Sequence, residues 1–174
     1  MFCLDSLPVS RDTDSVSETA YLSLGSNLGD REANLRAAVA QLDAAGRLLA
    51  LSAFYETQPV DVPDQPWFLN CVMAIDTDMT PKELLQLVLK VEAVMGRVRM
   101  REKCARNIDI DVVLFGNRVL DEPGLKIPHP AMHRRRFVLE PLAEIAPDAL
   151  HPERGKTARE ILQALEAGQT VRKL

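Results

Sequence analysis

The run Arg106-Asn107-Ile108-Asp109-Ile110-Asp111-Val112-Val113-Leu114-Phe115 constrains the fold more than any other part of this 174-residue chain. Residues 108–115 are β-branched or apolar apart from the two aspartates, which reads as a buried strand. Side chains alternate along a strand, so Asp109 and Asp111 project from one face, with Cα atoms about 7 Å apart. The same alternation predicts that Val113 and Phe115 continue that face into a core. Two like charges at the start of a core strand must be neutralised, and a divalent metal is one solution. A salt-bridge cluster at a strand end is the other. Residues 97–106 add five cations: Arg97, Arg99, Arg101, Lys103 and Arg106. Hard carboxylates beside an arginine-rich loop suit a polyphosphate bound through magnesium.

The remaining elements follow from periodicity and caps. Residues 20–24 alternate as a strand, which Gly25-Ser26-Asn27-Leu28-Gly29 breaks. Asp30 is placed to cap a helix whose apolar positions Leu35, Ala38, Val39 and Leu42 fall on one stripe. Residues 49–55 and 68–76 read as strands, separated by a proline-containing loop over 57–66. Thr80-Pro81-Lys82-Glu83 is a capping box with proline at the first helical position. The helix it opens carries Leu84, Val88, Val91 and Met95 on one stripe, stops at Gly96, and leaves Glu92 beside the stripe. A solvated Glu92 is the plain expectation; pairing with an arginine of the next loop is the functional one. Short extended pieces surround 119–120 and 125–127, and helices are expected over about 130–144 and over 157–165. The order is β-α-β-β-α-β, which predicts an α+β, ferredoxin-like antiparallel sheet with two helices on one face and a C-terminal helical appendage. Residues 1–18 read as a flexible tail and 19–174 as one domain.

A net charge of −4 leaves no global basic field for nucleic acid, and the cations concentrate at 97–106 and at Arg134-Arg135-Arg136. That distribution favours a small anionic ligand over a long polyanion. Cys3, Cys71 and Cys104 are odd in number and scattered, which implies a reducing compartment and neither a disulfide framework nor a zinc site. No run is long and apolar enough to suggest a membrane span, so the expectation is a cytoplasmic protein without a membrane partner. Phe68 and Asn70 share a strand face after the stiff 57–66 loop. An aromatic face plus an amide is what a flat heterocycle needs, although a core Phe and a turn Asn would look the same. His129 is held between two prolines, with Arg135 and Phe137 following. His and Arg so placed could meet phosphate oxygens, against the alternative of a solvated basic helix face.

Taken together, YLSLGSNLGDREANL, FYETQPVDVPDQPWFLN, MGRVR, RNIDIDVVLFG and IPHPAMHRRRFVLEPLAEIAP resemble the 6-hydroxymethyl-7,8-dihydropterin pyrophosphokinase family, in order, over residues 20–152. The resemblance implies a ferredoxin-like sandwich, ATP as donor, magnesium as cofactor, and transfer of pyrophosphate to the pterin hydroxymethyl oxygen with release of AMP, in folate biosynthesis. It implies a monomer acting on small molecules. Carried over by position, Asp109 and Asp111 ligate two magnesium ions. Arg97, Arg99, Arg106, His129 and Arg135 hold phosphates, with Arg97 and Arg106 also catalytic. Thr57, Phe68, Asn70 and Phe137 bind the pterin, the two aromatics enclosing its ring. The segments 25–30, 57–65 and 97–105 become loops that close over substrates.

The chain departs from the family at Lys103-Cys104-Ala105, where an aromatic, a Gly and a small residue are usual, and at Met100, where a basic residue is common. Those departures leave a non-transferring paralogue as one rival reading. A ferredoxin-like RNA-binding module is the other, and no strand shows the paired aromatics that reading needs.

Overall fold

The computed structural model describes residues 17–59, 65–96, 105–166 and 168–174. The expected tail lies almost wholly outside them. Strand β1 (Glu18–Ser26) runs through the middle of the main sheet. It pairs antiparallel with β4 (Phe68–Thr77), from Glu18 opposite Thr77 to Ser26 opposite Leu69. Its other edge pairs antiparallel with β5 (Asp109–Phe115). The far edge of β4 is shared by β2 (Arg47–Leu51) and β3 (Tyr55–Thr57).

The single strand expected over 49–55 is thus broken in two. Ser52 makes the break tolerable, because its N–H donates to the Val72 carbonyl at 2.9 Å and its Oγ accepts from the Val72 N–H at 3.0 Å. The ladder partner is satisfied although the strand is interrupted.

Helices α1 (Arg31–Gln41) and α2 (Pro81–Val94) start where their caps place them. Asp30 accepts from the Ala33 N–H, and Thr80 and Glu83 form the reciprocal capping box. Both pack on one sheet face, burying Leu35, Ala38, Leu84 and Val88 against Leu22, Leu24, Met73 and Ile110. These are the two helices expected on one face, and the opposite face is covered by the C-terminal elements. There α3 (Arg136–Ile145) and α4 (Ala158–Ala164) bury Val138, Leu139, Leu142 and Ile161 with Val72, Val113 and Leu114. A strand covered on both faces reads as continuously apolar rather than alternating, as 68–76 does.

The helix expected over 130–144 is split. A short 3-10 turn (Met132–Arg134) precedes it, and extended backbone at Arg135 separates that turn from α3. Two small hairpins, β6 (Leu120–Glu122) with β7 (Leu125–Ile127) and β8 (Leu150–His151) with β9 (Lys156–Thr157), bracket this region. The C-terminal stretch is more than a helical appendage. After α4, which opens with a Thr157–Glu160 capping box, β10 (Val171–Lys173) returns to the main sheet and pairs with β3. The resulting order is β10-β3-β4-β1-β5, with β2 also on β4.

One irregularity decides which way β5 faces. Tyr21 lies opposite Leu114 but Leu22 lies opposite Val112, so Val113 is an extra residue in β5. Asp109, Asp111, Val113 and Leu114 therefore share the α3 side. Phe115 is turned to the α1–α2 core, which corrects the expectation that it continues the aspartate face.

Candidate active site

One end of the sheet gathers the finish of β1 and β3 with the start of β4 and β5. On the face toward α3 these ends frame a cavity of about 190 Å³, into whose lining the first turn of α3 brings Arg135 and Phe137. Register explains its layout. Gly25 of β1 lies opposite Asp109 on one side and Asn70 on the other. A Cβ at Gly25 would meet Asn70 Oδ1 at 2.6 Å, so a larger residue there would displace the amide where the acidic and amide halves approach.

In the amide half, Phe68, Asn70, Thr57 and Phe137, the residues the resemblance assigns to the pterin, all line the cavity. Asn70 Nδ2 donates to Thr57 Oγ1 at 2.7 Å, and both side chains are buried. That bond ties the amide group to β3. Trp67 does not line this cavity; it is 40 % exposed and its carbonyl accepts from Arg31.

In the acidic half, Asp109 Oδ2 lies 3.1 Å from Arg106 Nη1, and Asp111 Oδ2 lies 3.5 Å from Arg135 Nη1. His129 Nε2 is 3.8 Å from the same Asp111 oxygen. Burial, reinforced by Arg135, pushes the His129 imidazole down to about 4, so at neutral pH it is uncharged. Its Nδ1 accepts from the Ala131 N–H, which leaves the proton on Nε2, the ring nitrogen 3.8 Å from Asp111. His129 is thus a neutral donor here. Arg106 keeps Nε buried with no acceptor among the described residues. Among those residues no cluster of three or more His, Cys, Asp or Glu forms a closed metal cage. Arg97 and Arg99 lie outside the described residues, as do most of the 97–105 loop and residues 60–64 of the 57–65 loop.

Two positioning residues were misjudged or missed in the sequence. Glu92 is not solvated: it is 1 % exposed and accepts from the Ile110 N–H at 2.9 Å, which anchors β5 between its two aspartates. Asn27, 2 % exposed, joins three segments. Its Oδ1 accepts from the Arg106 N–H at 2.8 Å, its backbone N–H donates to the Arg106 carbonyl, and its Nδ2 donates to Gln65 Oε1 and the Pro66 carbonyl. The only sequence hint was its place in a glycine-bounded break after a strand.

The pocket pairs two aromatic rings and an amide with two carboxylates and two guanidinium groups, a composition that suits a flat ligand beside an anionic one. Comparison with known proteins makes that reading specific. Residues 21–147 match the family described as 7,8-dihydro-6-hydroxymethylpterin-pyrophosphokinase. The chain is 48 % identical over 149 residues to the 2-amino-4-hydroxy-6-hydroxymethyldihydropteridine pyrophosphokinase of Methylorubrum extorquens, covering 84 % of this chain and 93 % of that one. It is 45 % identical over 132 residues to the Bacillus subtilis enzyme of the same name, covering 75 % and 79 %. Among solved structures, a Plasmodium falciparum HPPK-DHPS wild type with pteroate superimposes with a TM-score of 0.67 at 14 % identity, covering 85 % of this chain and 44 % of that one. The chain therefore spans less than half the length of that structure, and the likeness concerns the fold. The chain belongs to the 7,8-dihydro-6-hydroxymethylpterin-pyrophosphokinase family, and it is an ATP-dependent diphosphotransferase. No helix among the described residues is long and apolar enough to cross a membrane.

Proposed function

We propose that this protein transfers the β,γ-pyrophosphoryl group of ATP to the hydroxymethyl oxygen of 6-hydroxymethyl-7,8-dihydropterin, releasing AMP, in folate biosynthesis. The observation that carries the reading is the continuity of the pocket across Gly25, with Asn70 on one side of it and Asp109 on the other. The strand order β5-β1-β4 followed by β2 and β3 supports a ferredoxin-like frame in which the second strand is broken.

In this reading Phe68 and Phe137 hold the pterin ring between them, and Asn70, tethered by Thr57, reads its edge. The hydroxymethyl group then faces the acidic half. Arg106, Arg135 and the Nε2–H of His129 bind phosphate oxygens, with Arg97 and Arg99 assigned the same role from the family resemblance. The orphaned Arg106 Nε supports an anionic ligand, since a buried donor without an acceptor is costly.

Asp109 and Asp111 present hard oxygen donors, and their side chains are about one-third exposed toward the cavity. Two carboxylates suit magnesium, which keeps waters and takes its remaining ligands from substrate phosphates. Two bound ions would neutralise the polyphosphate and make the attacking hydroxyl more acidic. The residues themselves align donor and acceptor and keep water out, which is most of what phosphoryl-type transfer asks of a protein.

The test is AMP release from ATP and magnesium with and without the pterin. Pterin-dependent AMP is the expected result. Pterin binding without AMP would replace the proposal with a non-transferring paralogue, and the absence of both would return the aspartates to an ion-pair cluster.

A further inference from the structure

The segment leading into β10 reaches the pocket through Gln169, although it lies beyond residue 147, where the family match ends. Gln169 lines the cavity. Its Nε2 donates to the Gln58 carbonyl at 3.0 Å, and its Oε1 accepts from the Phe137 N–H at 3.3 Å. Phe137 is in the first turn of α3, where backbone N–H groups have no acceptor within the helix. The cap residue, Arg135, supplies no side-chain bond of its own. Gln169 therefore caps α3 from another element, while its other end grips the loop that follows Thr57.

The neighbouring contacts make this a strap rather than a chance touch. The Gln58 N–H donates to the Thr170 carbonyl, and Val171 pairs with Thr57. At the far end of the strap, Lys173 Nζ lies 2.9 Å from Glu144 Oε1, and Glu144 Oε2 accepts from the Tyr55 hydroxyl at 2.7 Å. One short segment thus ties α3, which carries Phe137, to β3, which carries Thr57. These two elements supply opposite parts of the ring-binding half.

We infer that Gln169 is a positioning residue for the pterin: it sets where Phe137 stands relative to Thr57 and Gln58. The inference rests on the pterin reading above. Its amide fits the task because one end must donate and the other accept, which an apolar residue of similar size cannot do.

The experiment compares wild type with Gln169→Leu and with Lys173→Ala, a variant of the same strap away from the cavity. Calorimetry gives the Kd for 6-hydroxymethyl-7,8-dihydropterin and for a non-hydrolysable ATP analogue with magnesium, and hydrogen exchange follows the Phe137 amide. Gln169→Leu is expected to raise the pterin Kd about tenfold, the scale of one orienting hydrogen-bond pair. It should keep the ATP-analogue Kd within about twofold and speed Phe137 exchange. Lys173→Ala should lower Tm yet leave the pterin Kd unchanged.

Gln169→Glu keeps the acceptor for Phe137 and should restore that amide's protection. Equal weakening of both ligands, an unchanged pterin Kd in Gln169→Leu, or the same pterin loss in Lys173→Ala would overturn the inference. Failure of wild type to bind pterin would instead sink the functional reading. The Phe137 amide then decides the strap, and exchange unaltered by Gln169→Leu refutes it.

Discussion

Removing the Asn27 side chain tests whether Arg106 is placed by its surroundings or only by Asp109. Asn27→Ala keeps the backbone bond to the Arg106 carbonyl but deletes three side-chain bonds, at 2.8, 3.0 and 3.3 Å. The Arg106 N–H is left without an acceptor in a part-buried place, at a cost of about 1–3 kcal/mol. The freed Gln65 and Pro66 oxygens can turn toward water, adding about 0.5–1 kcal/mol. A total of about 1.5–4 kcal/mol corresponds to a Tm lower by roughly 3–16 °C for a chain of this size. Arg106 would no longer be held over Asp109, and kcat/KM for AMP formation should fall at least about a hundredfold, because misplacement by about 1 Å is that costly. Asn27→Asp is the sharper variant. It preserves the acceptor for the Arg106 N–H but sets a carboxylate oxygen against Gln65 Oε1 and the Pro66 carbonyl. It should retain more turnover than Asn27→Ala while losing comparable stability. Thermal unfolding and AMP assays on both variants suffice. A lowered Tm with kcat/KM within twofold of wild type in Asn27→Ala would refute the claim that Arg106 acts through this pin.

Other expected outcomes are as direct. Asp109→Ala or Asp111→Ala should cut AMP formation at least about a thousandfold. Tm should change little, since each carboxylate is partly exposed and paired to a cation, and such pairs contribute about 0–1 kcal/mol; near-normal rates at saturating magnesium would refute the assignment. Phe68→Ala should weaken pterin binding by about 1–3 kcal/mol and spare ATP, and equal losses in calorimetry would mark Phe68 as core. Burial holds all three imidazoles below their usual value, with Arg135 adding to the effect at His129 and Arg154 at His133 and His151. Below about pH 6.5 the unfolded chain takes up protons that the folded one refuses, so stability should decline on acidification. A fall of about 1–3 kcal/mol between pH 7.5 and 5.5, allowing for the exposure of His133, should appear in urea midpoints. Midpoints that do not move would contradict it.

Local signals carried most of the frame. Asp30, the Thr80–Glu83 box and the Thr157–Glu160 box each act within three residues, so the sequence displays cap and partner together. The grouping of Asp109 with Asp111, and of Phe68 with Asn70, needed only strand alternation. What was not legible depends on partners far along the chain. The break at Ser52 requires knowing that Val72 lies opposite, and the turning of Phe115 requires the register of β5 against β1. Glu92 looked solvated because its position beside an apolar stripe does not reveal that Ile110 offers it an N–H. Gln169 is separated from Gln58 by 111 residues, and no periodicity connects the two.

The same two aspartates that make the site also help to specify the fold. Ile110 and Val112 face the α1–α2 core while Asp109 and Asp111 face the cavity. A one-residue slip of β5 would exchange the two sets, because side-chain direction has a period of two. It would carry both carboxylates in among Leu22, Leu24 and Val88, away from Arg106, Arg135 and His129. Several kcal/mol per desolvated ion oppose that arrangement. The Glu92–Ile110 bond opposes it independently, since a slip would present a different N–H to a buried carboxylate. Charge at the open end of the strand and apolar residues on its closed face thus select one register. That register puts Asp109 on one side of Gly25 and Asn70 on the other, which is the placement the proposed transfer needs.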